Sequence, residues 1–490
     1  MSFGLGISLA SVASRAAAIL TPFDYYVDPV NGSALNSGRT PGAAKAAWGD
    51  VPVEAGMRIG FVRGETLYSN MLRESLLLTA NVHIGAYGAG YRPIVARSVR
   101  HTSGWANSSG TVYAKDIGYA AQNVFVLSGG DTVTKLIVNT STPTTPGAGG
   151  FGVSGTSVYI DVGGDPAGML IEIPASGTDD NIQFNTGSDY SVVEGIASWF
   201  GPNNGFEATG GSVGVEVSMC DLSYNSNDGF GAHGTASIAR IEDCVVRRNG
   251  GARTLSGGRG DGISFHDYTT GFIRRCDIRD NEKSGISNQS SASVDTDRCF
   301  LRNNAQELFI LSITNQVGGT HNFTSNVIYV PGADDLAGYA LQIGNVGIAT
   351  PENRPTVNVF NNTFYGSAII SSRSAIRSLT GNVTSRNNII TGFSRGHDYR
   401  SSDTTATLDN DYDCLYNCTT PYFNNGTAGV TAGAHDVAAN PLFVSAGTDF
   451  RLQSGSPCVT AGVAVEGVTA DKDGKPFASP PSIGAYQFAA

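Results

Sequence analysis

The sequence is poor in charged residues and in long apolar runs. Asp, Glu, Lys and Arg make up 15% of its 490 residues, a low share for a soluble protein. With 31 basic against 42 acidic residues, the net charge is −11. This argues against nucleic acid as a partner, because phosphate binding needs clustered Lys and Arg. No run of 18 apolar residues occurs, so no membrane-spanning helix is predicted.

Cysteine is also scarce, while glycine and aromatic residues are plentiful. Seven cysteines are too few for a disulfide scaffold. Their odd number favours free thiols, although one pair among Cys414, Cys418 and Cys458 could form a bridge. The 22 Phe and 19 Tyr residues exclude a disordered chain. No long stretch rich in Ala, Glu, Lys and Leu occurs, and this argues against a helical bundle.

The middle of the chain repeats a short pattern. Four segments carry a cysteine, an apolar residue two places later and an asparagine five places later. They are CDLSYN, CVVRRN, CDIRDN and CFLRNN, starting at Cys220, Cys244, Cys276 and Cys299. Later segments start with asparagine in place of cysteine, at Asn326, Asn362 and Asn388. Cys414 is predicted to continue the column, with Tyr416 two places after it.

The spacing of this pattern predicts a β-solenoid. Neighbouring members lie from 23 residues apart (276 to 299) to 36 residues apart (326 to 362). Coils stacked about 4.8 Å apart would align like residues in ladders. An asparagine ladder satisfies its own amides from coil to coil, and the small cysteine side chains fill interior positions. The longest steps carry insertions at 250–260 and 331–355, which we expect on one face.

Several segments resemble the right-handed parallel β-helix proteins of the pectate-lyase-like superfamily. Residues 25–48 resemble a first strand with an N-terminal capping helix, and 147–174 a small β-insertion. Residues 440–462 and 471–488 resemble the closing segment of that group. The resemblance implies an all-β fold: a right-handed parallel β-helix with a short N-terminal capping helix and a small β-insertion. The superfamily includes lyases, hydrolases, esterases, epimerases and phage tailspikes, so the fold alone does not select an activity.

The repeat, this resemblance and a second one at the N-terminus divide the chain into five parts. The expected parts are an N-terminal virion-anchor-like peptide (1–22), a cap with the first coils (23–95), the insertion (96–175), the main helix (176–410) and the closing segment (411–490). The opening MSFGLGISLAS resembles that of some phage structural proteins. No basic residue precedes its apolar part, since the first is Arg15. This favours a retained peptide over an export signal.

The residues that follow each asparagine align as a possible glycan-binding face. The aligned segments are NGFEATG (204–210), DGFGAHG (228–234), DGISFHD (261–267) and SGISNQS (284–290). Since strand side chains alternate, stacking is expected to place His233 beside His266, and Asp228 beside Asp261, on a solvent-facing surface. The catalytic candidates are Asp228, Asp261, His266, Lys283 and Arg259. The substrate-binding candidates are Glu207, His233, Asp267, Tyr268 and Gln289.

These residue types suit glycan cleavage, in either of two chemistries. A hydrolase would use Asp228 and Asp261, one coil apart and so near the separation of a retaining pair, with Glu207 in reserve. A lyase would use His266 or Lys283 as base. Arg259 would then neutralise a uronate. The alternative interpretation is that both aspartates simply make Asp-Gly turns.

One motif and a few aromatic residues add to this picture. His266 and Asp267 match the last two positions of the Asp-Pro-His-Asp/Glu motif of alginate epimerases, whereas Ser264 and Phe265 replace the first two. Aromatic residues offer platforms for sugar rings. The aromatic candidates are Tyr268, Tyr224 and one of the pair Trp199 and Phe200.

The favoured function is a phage virion-surface, tailspike-like protein that binds and depolymerises a bacterial surface polysaccharide. The alternatives are a secreted bacterial polysaccharide lyase or uronate epimerase, and a non-catalytic structural or adhesive spike. The expected partners are the polysaccharide and, through the N-terminus, other virion proteins, in a homotrimer at the virion surface or in the extracellular space. No cofactor, metal site, nucleic acid or membrane insertion is predicted, with calcium allowed by the resemblance.

Overall fold

Short apolar runs, separated by glycine, asparagine and aspartate turns, fold into three long parallel sheets. The computed structural model describes residues 23–68, 76–78, 81–128, 132–251, 260–289, 291–311, 316–331, 339–344, 351–369, 373–401, 406–425 and 429–488. Over most of these residues each coil contributes one strand to each sheet, and every strand pairs with its counterpart in the next coil. The chain therefore winds as a parallel β-helix, as the repeat predicts.

We call the three sheets A, B and C in the order in which the chain visits them. Sheet A contains Tyr25–Val27, Met57–Val62, Val82–Tyr87, Val192–Glu194, Val213–Ser218, Ser237–Glu242, Thr270–Arg274, Ser293–Asp297, Thr320–Thr324, Thr356–Phe360, Asn382–Arg386 and Leu408–Asp411. Sheet B contains Thr66–Tyr68, Ile94–Ala96, Ala197–Trp199, Asp221–Ser223, Val245–Arg247, Asp277–Arg279, Phe300–Arg302, Val327–Val330, Thr363–Gly366, Ile389–Thr391 and Cys414–Tyr416. Sheet C contains Leu76–Leu78, Ile182–Phe184, Phe206–Ala208, Phe230–Ala232, Ile263–Phe265, Ser284–Gln289, Gln306–Leu311, Tyr339–Ile343, Ser374–Ser378, Arg395–Tyr399 and Thr420–Asn424.

The cysteine column lies where the repeat places it, at the corner between sheets A and B. The residues directly after the cysteines pair in register from coil to coil: Asp221 with Val245, Val245 with Asp277, and Asp277 with Phe300. At the far end of the column the prediction is wrong by one residue. Ile389 pairs with Cys414, and Asn388 donates its backbone N–H to Asp413 at 2.7 Å. Asp413 takes the corner because its carboxylate continues the ladder of hydrogen-bond acceptors, and Leu415 fills the apolar position predicted for Tyr416.

The predicted asparagine ladder is confirmed at the corner between sheets B and C. Asn225 donates its backbone N–H and its side-chain amide to Asn249 Oδ1, both at 3.0 Å. Asn249 does the same with Asn281, and Asn281 with Asn304. The residue before Asn249 is Arg248, which has a left-handed φ of 57°. The amides thus satisfy backbone groups that so sharp a corner removes from the sheets.

The interior of the helix is a continuous apolar core. Phe206, Phe230 and Ile263 of sheet C face it in register, and all three are buried with Leu222 and Val246 of sheet B. Burying a side chain of this size stabilises the fold by roughly 1.5–3 kcal/mol. Because every coil shares its core with two neighbours, the chain forms one stiff rod on which the outward side chains keep their spacing.

Two segments outside the rod cover parts of the outward face of sheet B. Between Ser98 and Pro174 the chain forms a separate four-stranded sheet and a five-stranded sheet. Their strands are Ser98–His101, Ala106–Ser109, Val112–Asp116, Phe125–Leu127, Val133–Lys135, Ile137–Val138, Gly150–Ser154, Ser157–Asp161 and Leu170–Pro174. The C-terminal segment, with the hairpin Phe443–Ser445 and Asp449–Leu452, packs Phe443 and Phe450 against Tyr365 of sheet B.

The predicted N-terminal capping helix is not seen. Residues 25–48 form the strand Tyr25–Val27 and the 3-10 turn Pro41–Ala43, and a second 3-10 turn, Trp48–Asp50, follows. Glycine and proline disfavour a longer helix here. A further 3-10 turn spans Pro351–Asn353. Among the described residues, no helix reaches the length and apolarity that a membrane span requires. All seven cysteines are free thiols, so the bridge allowed among the last three does not form.

Candidate functional site

The 98–174 segment covers the aromatic residues of the first coils. Phe125 of the 98–174 segment packs against Phe200 at 5.0 Å and against Tyr224 at 6.3 Å between ring centroids. Trp199, Phe200 and Tyr224 are all buried there. The sugar platforms predicted at these residues are therefore wrong, because the sheet they belong to is covered by the insertion. The outward face of sheet C, where the remaining candidates lie, is the better candidate for a site.

Glu207 lies on the outward face of sheet C and pairs with a glycine, Gly231, on the next coil. The outward column of sheet C runs, in register, through Gln183, Glu207, Gly231, Ser264 and Ser287. Gly231, on the next coil, has no side chain, and a Cβ there would collide with Glu207 Oε2. The carboxyl group of Glu207 therefore lies across Gly231 and reaches the following coil.

Two polar groups hold the Glu207 carboxyl in this place. Asn204 Nδ2 donates to Oε2 at 2.5 Å, and His233 Nε2 lies 3.3 Å from Oε1. Glu207 is only 8% exposed. Burial, together with the nearby carboxyl groups of Asp180 and Asp228, raises the pKa of Glu207 to about 9. Glu207 therefore carries a proton at neutral pH and can donate it.

Asp228 and Asp261 belong to a second column, at the loops that lead into sheet C. Asp228 accepts the backbone N–H of Asp261 at 2.8 Å and the hydroxyl of Ser264 at 2.5 Å. Asp261 accepts the backbone N–H of Ser284 at 2.8 Å. The two aspartates are stacked as predicted, but the expectation that they face solvent is wrong. They are 6% and 2% exposed, since each carboxylate turns towards the backbone of the next coil.

This column begins two coils earlier, with a carboxyl that sequence reasoning missed. Asp180 accepts the backbone N–H of Asn204 at 3.0 Å, and Asn204 accepts that of Asp228 at 3.0 Å. Burial raises the pKa of Asp180 to about 7, and burial with Asp261 raises the pKa of Asp228 to about 7. Asp180 lies 24 residues before Asn204, one coil step, so extending the aligned segments backwards would have found it.

The two histidines form a stacked pair, as predicted. The rings of His233 and His266 are 4.3 Å apart and inclined by 10°. Burial lowers the pKa of His233. Burial, with the neighbouring His233 and Lys283, lowers the pKa of His266 to about 4. Both imidazoles are therefore neutral at neutral pH, and a neutral imidazole can accept a proton.

The remaining candidates surround this pair. Gln289 Nε2 lies 2.9 Å from His266 Nδ1, and Gln289 Oε1 accepts the backbone N–H of Asp267 at 2.8 Å. The Asp267 carboxylate accepts the backbone N–H of Gly234 at 2.9 Å. Tyr268, 49% exposed, leaves its ring open to a ligand.

The two predicted cations, Lys283 and Arg259, give a mixed result. Lys283 Nζ lies 2.9 Å from Asp261 Oδ2. Burial lowers the pKa of Lys283, but the Asp261 carboxylate outweighs it, so that the pKa is raised overall. Arg259 lies outside the described residues. Among the residues that the structure describes, no group of three or more His, Cys, Asp or Glu side chains could hold a metal ion.

Comparison with known proteins agrees with the architecture. A family model described as right handed beta helix region matches residues 180–349. Pectate lyase Pel9A is similar in structure, with 14% sequence identity, 95% of this chain and 96% of that chain covered, and a TM-score of 0.53. The fold is a right-handed parallel β-helix. XylC in complex with xylose is also similar in structure. It has 11% sequence identity, with 95% of this chain and 98% of that chain covered, and a TM-score of 0.56.

More distant β-helices include phage tailspikes. The tailspike gp61 of Pseudomonas phage phi297 has 12% identity, with 79% of this chain and 72% of that chain covered, and a TM-score of 0.26. That score is too low to support an argument about this chain. No curated protein sequence matches it. At these identities the likeness establishes the fold, and the activity has to be argued from the site.

The β-helix therefore presents an acid and two bases on one rigid face. Glu207 can donate a proton, and the stacked imidazoles of His233 and His266 are neutral at neutral pH. Acid and base held at fixed positions on neighbouring coils are what cleavage of a glycosidic bond requires.

Replacing Gly231 with alanine is expected to reduce any turnover at this site by about 10²-fold, the effect of moving a catalytic group by about 1 Å. The new Cβ would displace the Glu207 carboxyl from Asn204 and His233. Because the end of the Glu207 side chain can move away, we expect the thermal midpoint to change little. The measurements are turnover and thermal unfolding, with Gly42→Ala as control, since an added Cβ there meets open space. Full activity in Gly231→Ala would argue against the assigned position of Glu207.

Proposed function

We propose that this chain binds a polysaccharide along the outward face of sheet C and cleaves it by hydrolysis, with Glu207 as the general acid. The observation that carries this proposal is the buried Glu207 carboxyl, which is held over Gly231 on the outward face of sheet C. A carboxyl that stays protonated at neutral pH can protonate the oxygen of the leaving sugar.

The shape of the face supports a polymeric substrate. The outward column of sheet C continues beyond Ser287 through Phe309, Gln342 and Arg377, one coil of about 4.8 Å at a time. A glycan that lies along the rod would contact polar groups and an aromatic ring over several coils. Tyr268, beside the histidine pair, supplies a further ring surface.

The charges of the site favour hydrolysis over elimination. Elimination next to a uronate requires cations that neutralise its carboxylate, but the described site holds Asp180, Asp228 and Asp261, and Lys283 is already paired with Asp261. In hydrolysis, Glu207 gives its proton to the glycosidic oxygen as the C–O bond breaks. The water that adds to the sugar carbon gives a proton to His266 Nδ1, where the proton takes the place of the hydrogen bond from Gln289 Nε2.

The direct test is incubation of the purified protein with a panel of capsular, exopolysaccharide and plant-type polysaccharides. Hydrolysis is expected to release new reducing ends without the ultraviolet absorbance of an unsaturated uronate. Unsaturated products would instead support a lyase. Polysaccharide binding without either product would support an adhesive spike.

The predicted pH dependence follows from two of these groups. The acid form of Glu207 is lost as the pH rises through about 9, and the neutral form of His266 is lost as the pH falls through about 4. Turnover is therefore expected to be flat between these values and to fall on either side. A glutamate of ordinary pKa would lose its proton near pH 4.3. A profile of kcat/KM against pH that already declines between pH 5 and 7 would contradict the assignment.

We further propose that the protein is a tailspike-like component of a virion surface, attached through residues 1–22. The support comes from the sequence of that segment, which lies outside the described residues. In this setting the chain is expected to form a homotrimer, so light scattering should give three times the chain mass of 50.9 kDa. A mass of one chain, measured on the full-length protein, would argue for a secreted enzyme.

A further inference from the structure

A second groove lies on a different face of the rod, between sheet A and the C-terminal segment. It has a volume of 390 Å³. Its floor is the outward face of the four sheet A strands from Thr270–Arg274 to Thr356–Phe360, and its wall is formed by residues 466–470. We propose that this groove binds a neutral oligosaccharide, independently of the site on sheet C.

The floor offers hydrogen-bonding groups at the spacing of the coils. Asn358 Nδ2 donates to Asn322 Oδ1 at 2.8 Å, and Asn322 Nδ2 donates to Asp295 Oδ1 at 2.5 Å. Each amide uses one of its two N–H groups in this chain, so the second can bind a ligand oxygen. The Asp295 carboxylate adds an acceptor at one end. Rows of amide and carboxylate groups about 4.8 Å apart suit the hydroxyl groups of consecutive sugar rings.

An aromatic ring stands at the other end of the groove. Phe360, half-buried, lines the groove on the same coil as Asn358. The flat C–H face of a sugar can pack on such a ring. Phe272, on the first coil of the floor, is covered by the Arg274 guanidinium at 4.2 Å from the ring centroid. Phe360 is therefore the platform that we assign to the ligand.

The charges of the groove select a neutral ligand. Its lining contains three carboxylates, Asp295, Asp297 and Glu466, against Arg274 and Arg298. Both guanidinium groups lie beside Asp297, with Nε to Oδ2 distances of 3.2 Å and 2.8 Å. The cations are thus engaged, and an acidic sugar would meet the net negative charge of the lining.

The wall of the groove is held in place by the fold. Ser325 Oγ donates to the carbonyl of Ala470 at 2.9 Å, which ties the wall to the corner between sheets A and B. Phe477 donates its backbone N–H to Thr469 at 3.2 Å. A groove that already exists without ligand avoids the cost of ordering a loop on binding.

The test is a titration of the full-length protein with neutral hexasaccharides (cello-, malto-, xylo- and chitohexaose), with hexagalacturonate as the acidic comparator. Binding is measured by saturation-transfer NMR and by calorimetry. We expect at least one neutral probe to bind. Phe360→Ala should raise the Kd of that probe about tenfold, the effect of losing one aromatic contact. Thr469→Trp should block the groove from its exposed wall without touching the core. Tyr91→Ala, at an exposed ring outside the groove, is the matched control.

The outcomes separate this groove from the site on sheet C. Glu207→Gln should leave binding at the groove unchanged. Loss of binding in Glu207→Gln, with Phe360→Ala and Thr469→Trp unaffected, would overturn the proposal, because the probe would then occupy sheet C. Failure of every neutral probe to bind at millimolar concentration, or preference for the acidic probe, would overturn it as well.

Discussion

Glutamine in place of Glu207 is expected to lower the rate of polysaccharide cleavage by about 10²–10⁴-fold, the usual contribution of a general acid. Glutamine has nearly the same shape as a protonated glutamate, but it has no proton to give at any working pH. The substrate should still bind, because the face of sheet C is unchanged. We therefore expect kcat to fall and KM to stay nearly unchanged.

The stability of this variant should not suffer. Burial raises the pKa of Glu207 to about 9, so in the folded protein the side chain is already neutral. An amide avoids the cost of protonating it, and above the ordinary glutamate pKa the variant should be at least as stable as the parent. The matched control is Glu216→Gln on sheet A, which removes a surface pair with Arg240 and should leave the rate unchanged.

Two results would contradict the role of Glu207. If Glu207→Gln kept full activity, the acid would have to be sought elsewhere on the face. If it lost activity and substrate binding equally, Glu207 would be a binding group, as the sequence first suggested. Measuring kcat and KM separately distinguishes these cases.

The second large effect is expected at the buried asparagine ladder. Asn249→Ala should lower the free energy of unfolding by about 3–5 kcal/mol, because each buried donor left without a partner costs roughly 1–3 kcal/mol. The variant leaves the backbone N–H of Asn225 unpaired and removes the amide bond to the carbonyl of Leu222. It also breaks the amide contacts with Asn225 and Asn281.

Urea unfolding followed by circular dichroism measures this loss. Asn107→Ala is the control, because Asn107 is exposed in the 98–174 segment and its amide makes one hydrogen bond, to the carbonyl of Gly110 at 2.8 Å. We expect a change below about 0.5 kcal/mol there. Equal effects in the two variants would show that the ladder adds no special stability to the corner.

The features that sequence reasoning predicted correctly are those that repeat. Residues that recur at each coil, such as Cys220 and Cys244, align because parallel strands stack in register, and register follows from side-chain alternation alone. The same logic placed His233 beside His266 and Asp228 beside Asp261. The misassignment of Cys414 shows the limit of this argument. There Asp413 replaced asparagine as acceptor, and the pattern gave no sign that an aspartate could do so.

The sequence by itself determined the parallel β-helix, its ladders and the face on which the acidic and imidazole groups meet, because each depends only on a repeat of one coil. The tertiary structure decided what those groups can do. It covered Trp199 and Tyr224 with the 98–174 segment, buried Asp228 and Asp261 against backbone N–H groups, and moved the Glu207 carboxyl over Gly231, where burial keeps it protonated. These outcomes depend on segments distant in sequence and on side-chain burial, and a coil-to-coil pattern carries no information about either.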